Sequence, residues 1–117
     1  MYKIIFYTDK NGRSEIFEYI EDLRKKKNNK ECRIKVNKIT AYINQLSIQG
    51  LSLGEPYIKR IDSDLWELRT LRDRIFFASC ENNKLILLSV FMKNSNKTPE
   101  REKEKVRRRL DKYKNGE

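Results

Sequence analysis

The apolar period of this chain changes once, and that change restricts the folds open to it. Before Gly50, apolar residues recur every three or four positions: Ile16, Ile20 and Leu23, then Cys32, Val36, Ile39, Ile43 and Leu46. This spacing lays a stripe along one side of a helix. After Gly54 and Pro56 the period becomes two, the repeat of a strand with one buried face. The polar run at 24–30 splits the helical part in two, so it reads as a helical hairpin whose second helix ends at Gly50.

A strand at 2–8 precedes the hairpin, apolar, β-branched and aromatic throughout. Asn11 and Gly12 break it, and Asn11 is a candidate helix cap. Further strands are expected near 56–61, 64–70, 74–80 and 85–93. The turns between them are Asp62-Ser63-Asp64, Leu71-Arg72-Asp73 and Glu81-Asn82-Asn83-Lys84, the last a tight hairpin with Asn in left-handed positions. Thr98 reads as the cap of a last helix, with Pro99 in its first helical position and Val106, Leu110 and Tyr113 as a narrow apolar stripe. The order β-α-α-β-β-β-β-α is α+β. The expectation is a single domain over 1–117, with an antiparallel twisted sheet backed by the N-terminal helical hairpin and a C-terminal helix.

Charge narrows the partners. The chain carries 27 Lys and Arg against 17 Asp and Glu, a net charge of +10 with no histidine. Nucleic acid is the first polyanion to consider, an acidic protein the second and an anionic membrane surface the third; a merely lysine-rich composition also accounts for the count. The missing histidine excludes His-based acid–base pairs, Ser-His triads and ordinary zinc sites. No stretch approaches the roughly 20 apolar residues of a membrane span, and the first residues lack the pattern of a secretory leader. Cys32 and Cys80 are read as two reduced thiols of a cytoplasmic protein. No cofactor and no metal are expected.

Strand alternation then sorts the side chains into faces. If Trp66, Ile75 and Leu88 face the helices, Glu67, Arg69, Arg74, Phe91 and Lys93 share the opposite face. Tight turns place Arg69 beside Arg74 and Arg74 beside Phe91. Like charges paired across a ladder are destabilising unless they face water or hold an anion. A row of Arg, Arg and an aromatic, with Lys93 diagonal to it and Glu67 near, suits a phosphate with a stacked base. The alternative is a solvated outer face on which these arginines pair with Glu67 and Asp73, and Phe91 packs under the last helix. Asp62-Ser63-Asp64 has the form of a metal-binding DxD, although such residues between strands usually make a turn. The run Arg107-Arg108-Arg109 either touches a phosphate backbone or is the wet side of a helix. Tyr19 and Tyr42 read as core or rim.

The segments Trp66-Glu67-Leu68-Arg69, Arg74-Ile75-Phe76-Phe77, Leu87-Leu88-Ser89-Val90-Phe91-Met92-Lys93 and Lys97-Thr98-Pro99, followed by a charged helix, together resemble the phage-derived HigB-like toxins of the RelE/ParE superfamily. The likeness spans most of the chain in order and spacing and is strongest over 64–113. It implies a metal-independent, ribosome-dependent endoribonuclease that cleaves mRNA, with its active residues on the open side of the sheet. Arg74 matches the family's arginine after the hairpin turn, Lys93 the basic residue ending the last strand, and Arg69 and Glu67 exposed positions of the preceding strand. Many relatives carry a second lysine where this chain has Asn94, and some use histidines that this chain lacks.

On this reading a ribose 2′-OH attacks the adjacent phosphate, with Arg74 and Arg69 stabilising the developing oxyanion. Lys93 is the general acid or base and Glu67 the alternative base. Phe91 stacks on a base. Lys59 and Lys97 hold flanking phosphates, with Asn94 and Arg72 completing the RNA-binding set. The resemblance further implies a helix-turn-helix, HigA-like antitoxin, mRNA and the 70S ribosome as partners, contact with operator DNA only through the antitoxin, and no membrane. Two other classes stay open at this point: a ParE-like gyrase inhibitor, and a basic nucleic-acid-binding module without catalysis.

Overall fold

Helix α1 (Glu15–Lys25) starts where the Ser14 hydroxyl accepts the Phe17 amide, at 3.2 Å. The structure is a computed structural model, and it describes residues 1–93 and 98–116. Asn11 does not cap the helix. It sits three residues earlier, in a turn where the Asp9 carboxylate accepts the amides of Asn11 and Arg13. Asn29 caps helix α2 (Lys30–Gln49) by accepting the Cys32 amide. Gly50 ends α2 at φ 58° and opens a short 3-10 turn, Gly50–Leu53. A Cβ at Gly50 would run into the Tyr2 ring.

The five strands are β1 (Lys3–Phe6), β2 (Ile58–Arg60), β3 (Leu65–Arg69), β4 (Asp73–Cys80) and β5 (Lys84–Met92). They form one sheet in the order β1-β5-β4-β3-β2. Strands β2 to β5 make an antiparallel meander, while β1 lies parallel to β5. Asn82 and Asn83 sit at φ 62° and 58°, which closes the β4–β5 hairpin with a left-handed pair of residues.

A β-bulge decides the faces of β5. Phe76 pairs with Ser89 and Phe77 with Leu87, so Leu88 has no partner across the ladder. Leu85 and Leu87 therefore face the hairpin, together with Trp66, Leu68, Ile75 and Phe77. Ile86 and Leu88 face the other way, with Leu65, Phe76 and Ala78. This corrects the expectation that Leu88 shares a face with Trp66 and Ile75. Beyond the bulge, Val90 returns to the hairpin side and Phe91 lies on the second.

The two faces carry two cores. Ile16, Ile20 and Leu23 of α1, with Ile39 and Leu46 of α2, close the first. Helix α3 (Glu100–Lys114) closes the second with Val106 and Leu110, whose full burial contributes about 1.5–3 kcal/mol each. The second face is thus not open along its length: the narrow stripe of α3 needs apolar cover and finds it there. Thr98 does not cap α3. Pro99 precedes the first helical residue, and the Thr98 hydroxyl donates instead to Glu67 Oε2 at 3.4 Å.

Ion pairs fasten α3 on both sides. Arg107 bridges Asp62 at 2.6 Å and Asp64 at 2.7 Å, which is the use the structure makes of the DxD and of this arginine. On the other side β1 stops at Phe6 and leaves that edge of β5 without a strand neighbour beyond Leu87. Arg109 donates to the Leu88 carbonyl at 2.7 Å, and the Val90 amide donates to Glu15 at 2.8 Å. Glu15 also pairs with Lys105 and Arg109, so side chains complete the unpaired strand edge. Cys32 and Cys80 are both free and half-buried. No described helix is long and apolar enough to cross a membrane.

Gly50→Ala is expected to destabilise the fold, by about 1–3 kcal/mol from the left-handed backbone alone, with the Tyr2 contact adding to it. Urea titration against the parent chain measures this, and an unchanged midpoint would refute it.

Candidate active site

Antiparallel register brings the charged residues of β3, β4 and β5 into rows. Lys59 lies opposite Glu67, Glu67 opposite Phe76, and Phe76 opposite Ser89. Two residues further along, Arg69 lies opposite Arg74 and Arg74 opposite Phe91. Alternation from Phe91 puts Lys93 on the same face, where its ammonium interacts with Glu67, Arg69, Arg74 and Lys59. These residues lie beside the apolar patch that α3 covers, at the end of the sheet from which α3 departs.

Glu67 is the centre of the cluster, with a side chain only 1% exposed. Its Oε1 is 3.5 Å from Arg69 Nε and 3.7 Å from Arg74 Nε, and its Oε2 accepts the Thr98 hydroxyl. The expectation of an exposed Glu67 is corrected here: the side chain is enclosed, with Thr98 against it. A carboxylate so enclosed orients two guanidiniums and lowers their mutual repulsion. The four cations Lys59, Arg69, Arg74 and Lys93 around one carboxylate leave a net positive site.

Arg74 is 12% exposed and Arg69 is 29% exposed. The Arg74 Nη1 is committed to the turn at 70–73, donating to the carbonyls of Thr70 (2.8 Å), Leu71 (3.1 Å) and Asp73 (3.0 Å). Its Nε is buried and faces Glu67 without a hydrogen bond. Among the described residues no hydrogen bond leaves Nη2, so that nitrogen remains for an external anion. Burial holds the Arg74 guanidinium below its ordinary pKa; Glu67 opposes this and Arg69 adds to it. Desolvation likewise lowers Lys93, against the pull of Glu67 and with help from Arg69, Arg74 and Lys59.

Phe91 is half-buried and stacks on Phe76, with ring centroids 5.4 Å apart and 29° between planes. Lys59 is exposed on β2, and Arg72 is exposed in the turn, where its carbonyl accepts the Lys93 amide at 2.9 Å. Asn94 and Lys97 lie outside the described residues. The structure thus brings together Glu67, Arg69, Arg74, Phe91 and Lys93, with Lys59 and Arg72 at the margin. The carbonyl cage of Arg74 and the Thr98 contact were not expected from sequence. The signal for the cage is a short Thr-Leu-Arg-Asp turn followed at once by arginine; the Thr98 contact leaves no local trace.

Residues 18–111 match a family model described as phage derived protein Gp49-like (DUF891). The match runs from α1 into α3 and takes in every residue of the cluster. No curated protein matches the chain.

Glu67→Ala is expected to destabilise the protein by about 1–3 kcal/mol, because two adjacent, partly buried arginines lose the carboxylate that stands between them. Added sulfate should recover part of the loss by entering between them. Thermal melts with and without sulfate at constant ionic strength read both effects; a variant as stable as the parent in both conditions would contradict the arrangement.

Proposed function

This chain belongs to the Gp49-like phage-derived protein family, and from that premise we propose that it is the toxin of a type II toxin–antitoxin pair, a HigB-like endoribonuclease that cuts mRNA on the ribosome. The family is one of toxins of such systems. One observation supports the nuclease reading above its rivals: Arg69, Arg74 and Phe91 stand in one row of a sheet face, with Lys93 and Lys59 around a buried Glu67. A gyrase poison or a passive binding module needs no such convergence on one point.

The chemistry follows from the groups. A ribose 2′-oxygen attacks the adjacent phosphorus, the P–O5′ bond breaks, and a 2′,3′-cyclic phosphate and a 5′-hydroxyl result. The reaction requires in-line geometry, a proton acceptor for the 2′-OH, a proton donor for the leaving oxygen, and positive charge at the phosphate. The Nη2 of Arg74 and the Arg69 guanidinium supply that charge. Lys93, its pKa lowered, moves the proton, since an amine nearer neutrality exchanges protons more readily at physiological pH. Glu67 is enclosed and keeps the two arginines in place. Phe91, supported from below by Phe76, stacks on a base. Lys59 and Arg72 meet neighbouring phosphates. The antitoxin is a helix-turn-helix, HigA-like repressor, through which alone the toxin meets operator DNA, and the setting is the bacterial cytoplasm.

Arg74→Ala should lower cleavage by about 10²–10³ and abolish growth arrest on induction, with the circular dichroism spectrum unchanged. Primer extension on cellular mRNA reads the outcome. Cuts within codons for the parent and none for the variant are expected. DNA breaks with intact mRNA would point to gyrase instead, and a folded Arg74→Ala chain that still arrests growth would overturn the assignment.

The pH profile tests Lys93. As a base it acts when neutral, so the rate should rise with pH and level off below the range of an ordinary lysine. Glu67 favours the ammonium, so Glu67→Gln should move that limb to lower pH. Single-turnover rates on a defined mRNA give the profile, and a limb that stays in place or moves upward would remove Lys93 from this part.

A further inference from the structure

The mechanism leaves unused a buried polar group on the opposite face of the sheet from the arginines. Asp73, the first residue of β4, is 1% exposed and points toward the helical hairpin. Its Oδ1 accepts the Tyr19 hydroxyl of α1 at 2.6 Å and lies 3.6 Å from the Lys35 ammonium of α2. Lys35 also donates to the Tyr19 hydroxyl at 3.5 Å, and its side chain is only 11% exposed. Three elements far apart in sequence thus converge on one carboxylate. Among the described residues the second oxygen, Oδ2, is buried without a partner.

Stability alone is a weak reason for such a group. A buried ion pair loses much of its Coulombic gain to desolvation, and well-packed apolar residues often do as well. Position is the stronger reason. The Asp73 carbonyl closes the turn by accepting the Thr70 amide at 3.2 Å and the Thr70 hydroxyl at 3.3 Å. That same carbonyl, with those of Thr70 and Leu71, holds the Arg74 Nη1. A shift of Asp73 therefore moves the carbonyls that aim the guanidinium.

We infer that Asp73, clamped by Tyr19 and Lys35, is a positioning residue for Arg74 and couples the helical hairpin to the phosphate-binding face. This rests on the proposed nuclease function and deepens it. Asp73 does not touch RNA. It acts through the turn, and the clamp makes the aim of Arg74 depend on how α1 and α2 sit on the sheet. A misplacement of about 1 Å at a catalytic group is enough to lower a rate by as much as a hundredfold.

Tyr19→Phe and Asp73→Asn test it, the first removing one hydroxyl while keeping the ring. Cleavage of a defined mRNA on purified ribosomes should fall roughly tenfold or more in kcat with KM little changed, while the melting temperature of Tyr19→Phe stays within a few degrees of the parent. The two changes should also fail to add to Arg74→Lys: once the guanidinium is gone, Tyr19→Phe should alter the remaining rate less than twofold. Parental kcat in both single variants, beside an inactive Arg74→Ala, would overturn this inference and leave the nuclease reading standing. An equal effect of Tyr19→Phe with and without Arg74 would also overturn it, as the mark of a merely structural tyrosine. Full activity of Arg74→Ala would overturn the role given to Arg74, and this inference with it, while a parent chain that leaves the mRNA intact would overturn the nuclease reading itself.

Discussion

Two guanidiniums face each other directly across a β-ladder, and the rest of the site depends on what makes that tolerable. Arg69 and Arg74 are register partners, a placement that is unfavourable by itself. Glu67, two residues before Arg69 and therefore on the same face, puts one carboxylate oxygen between both Nε atoms. Strand period and tight-turn register together make this possible: residues i and i+2 share a face, and the turn at 70–73 sets position 69 against 74. The carboxylate lowers the repulsion without cancelling the charge, because Lys59 and Lys93 add two further cations. The outcome is a fixed positive point on a rigid sheet, which an anion can use without reorganising it.

The bulge at Leu88 decides what surrounds that point. Without it, Ile86, Leu88 and Val90 would line one face, and Leu85 and Leu87 would share the other with Phe91. With it, Ile86 and Leu88 join Phe76 under α3, while Val90 packs toward the hairpin. The sheet therefore has two cores of unequal size, and only the end of the second face remains for charged residues. Ion pairs place α3 there. Arg107 reaches Asp62 and Asp64 on one side, and Arg109 and Lys105 reach Glu15 on the other.

Much of the fold was legible because its signals are local. The stripe Ile16, Ile20, Leu23 lies on α1, the Asn82-Asn83 pair adopts the left-handed conformation, and Gly50 ends α2. The pairing of Arg69 with Arg74, and of Arg74 with Phe91, follows from two short turns. The misreadings share a cause. Asn11 and Thr98 are good capping residues, yet Ser14 lies one residue before the helix, and the Thr98 hydroxyl is drawn to a buried carboxylate. Leu88 departs from simple alternation because one extra residue inverts the period, and the apolar run Leu85 to Leu88 gives both faces of β5 the same character up to the bulge.

By itself the sequence determined the element types, the hairpin turns and the excess of positive charge, since each is a property of residues within a few positions of one another. It also determined that Arg69, Arg74 and Phe91 share a row, because two tight turns leave the register little freedom. Only the tertiary structure decided that Glu67 is enclosed and that Asp73 meets Tyr19 and Lys35. Burial and hydrogen-bond partnership depend on segments that lie tens of residues away, and nothing within a strand of five to nine residues encodes which helix will come to rest on it.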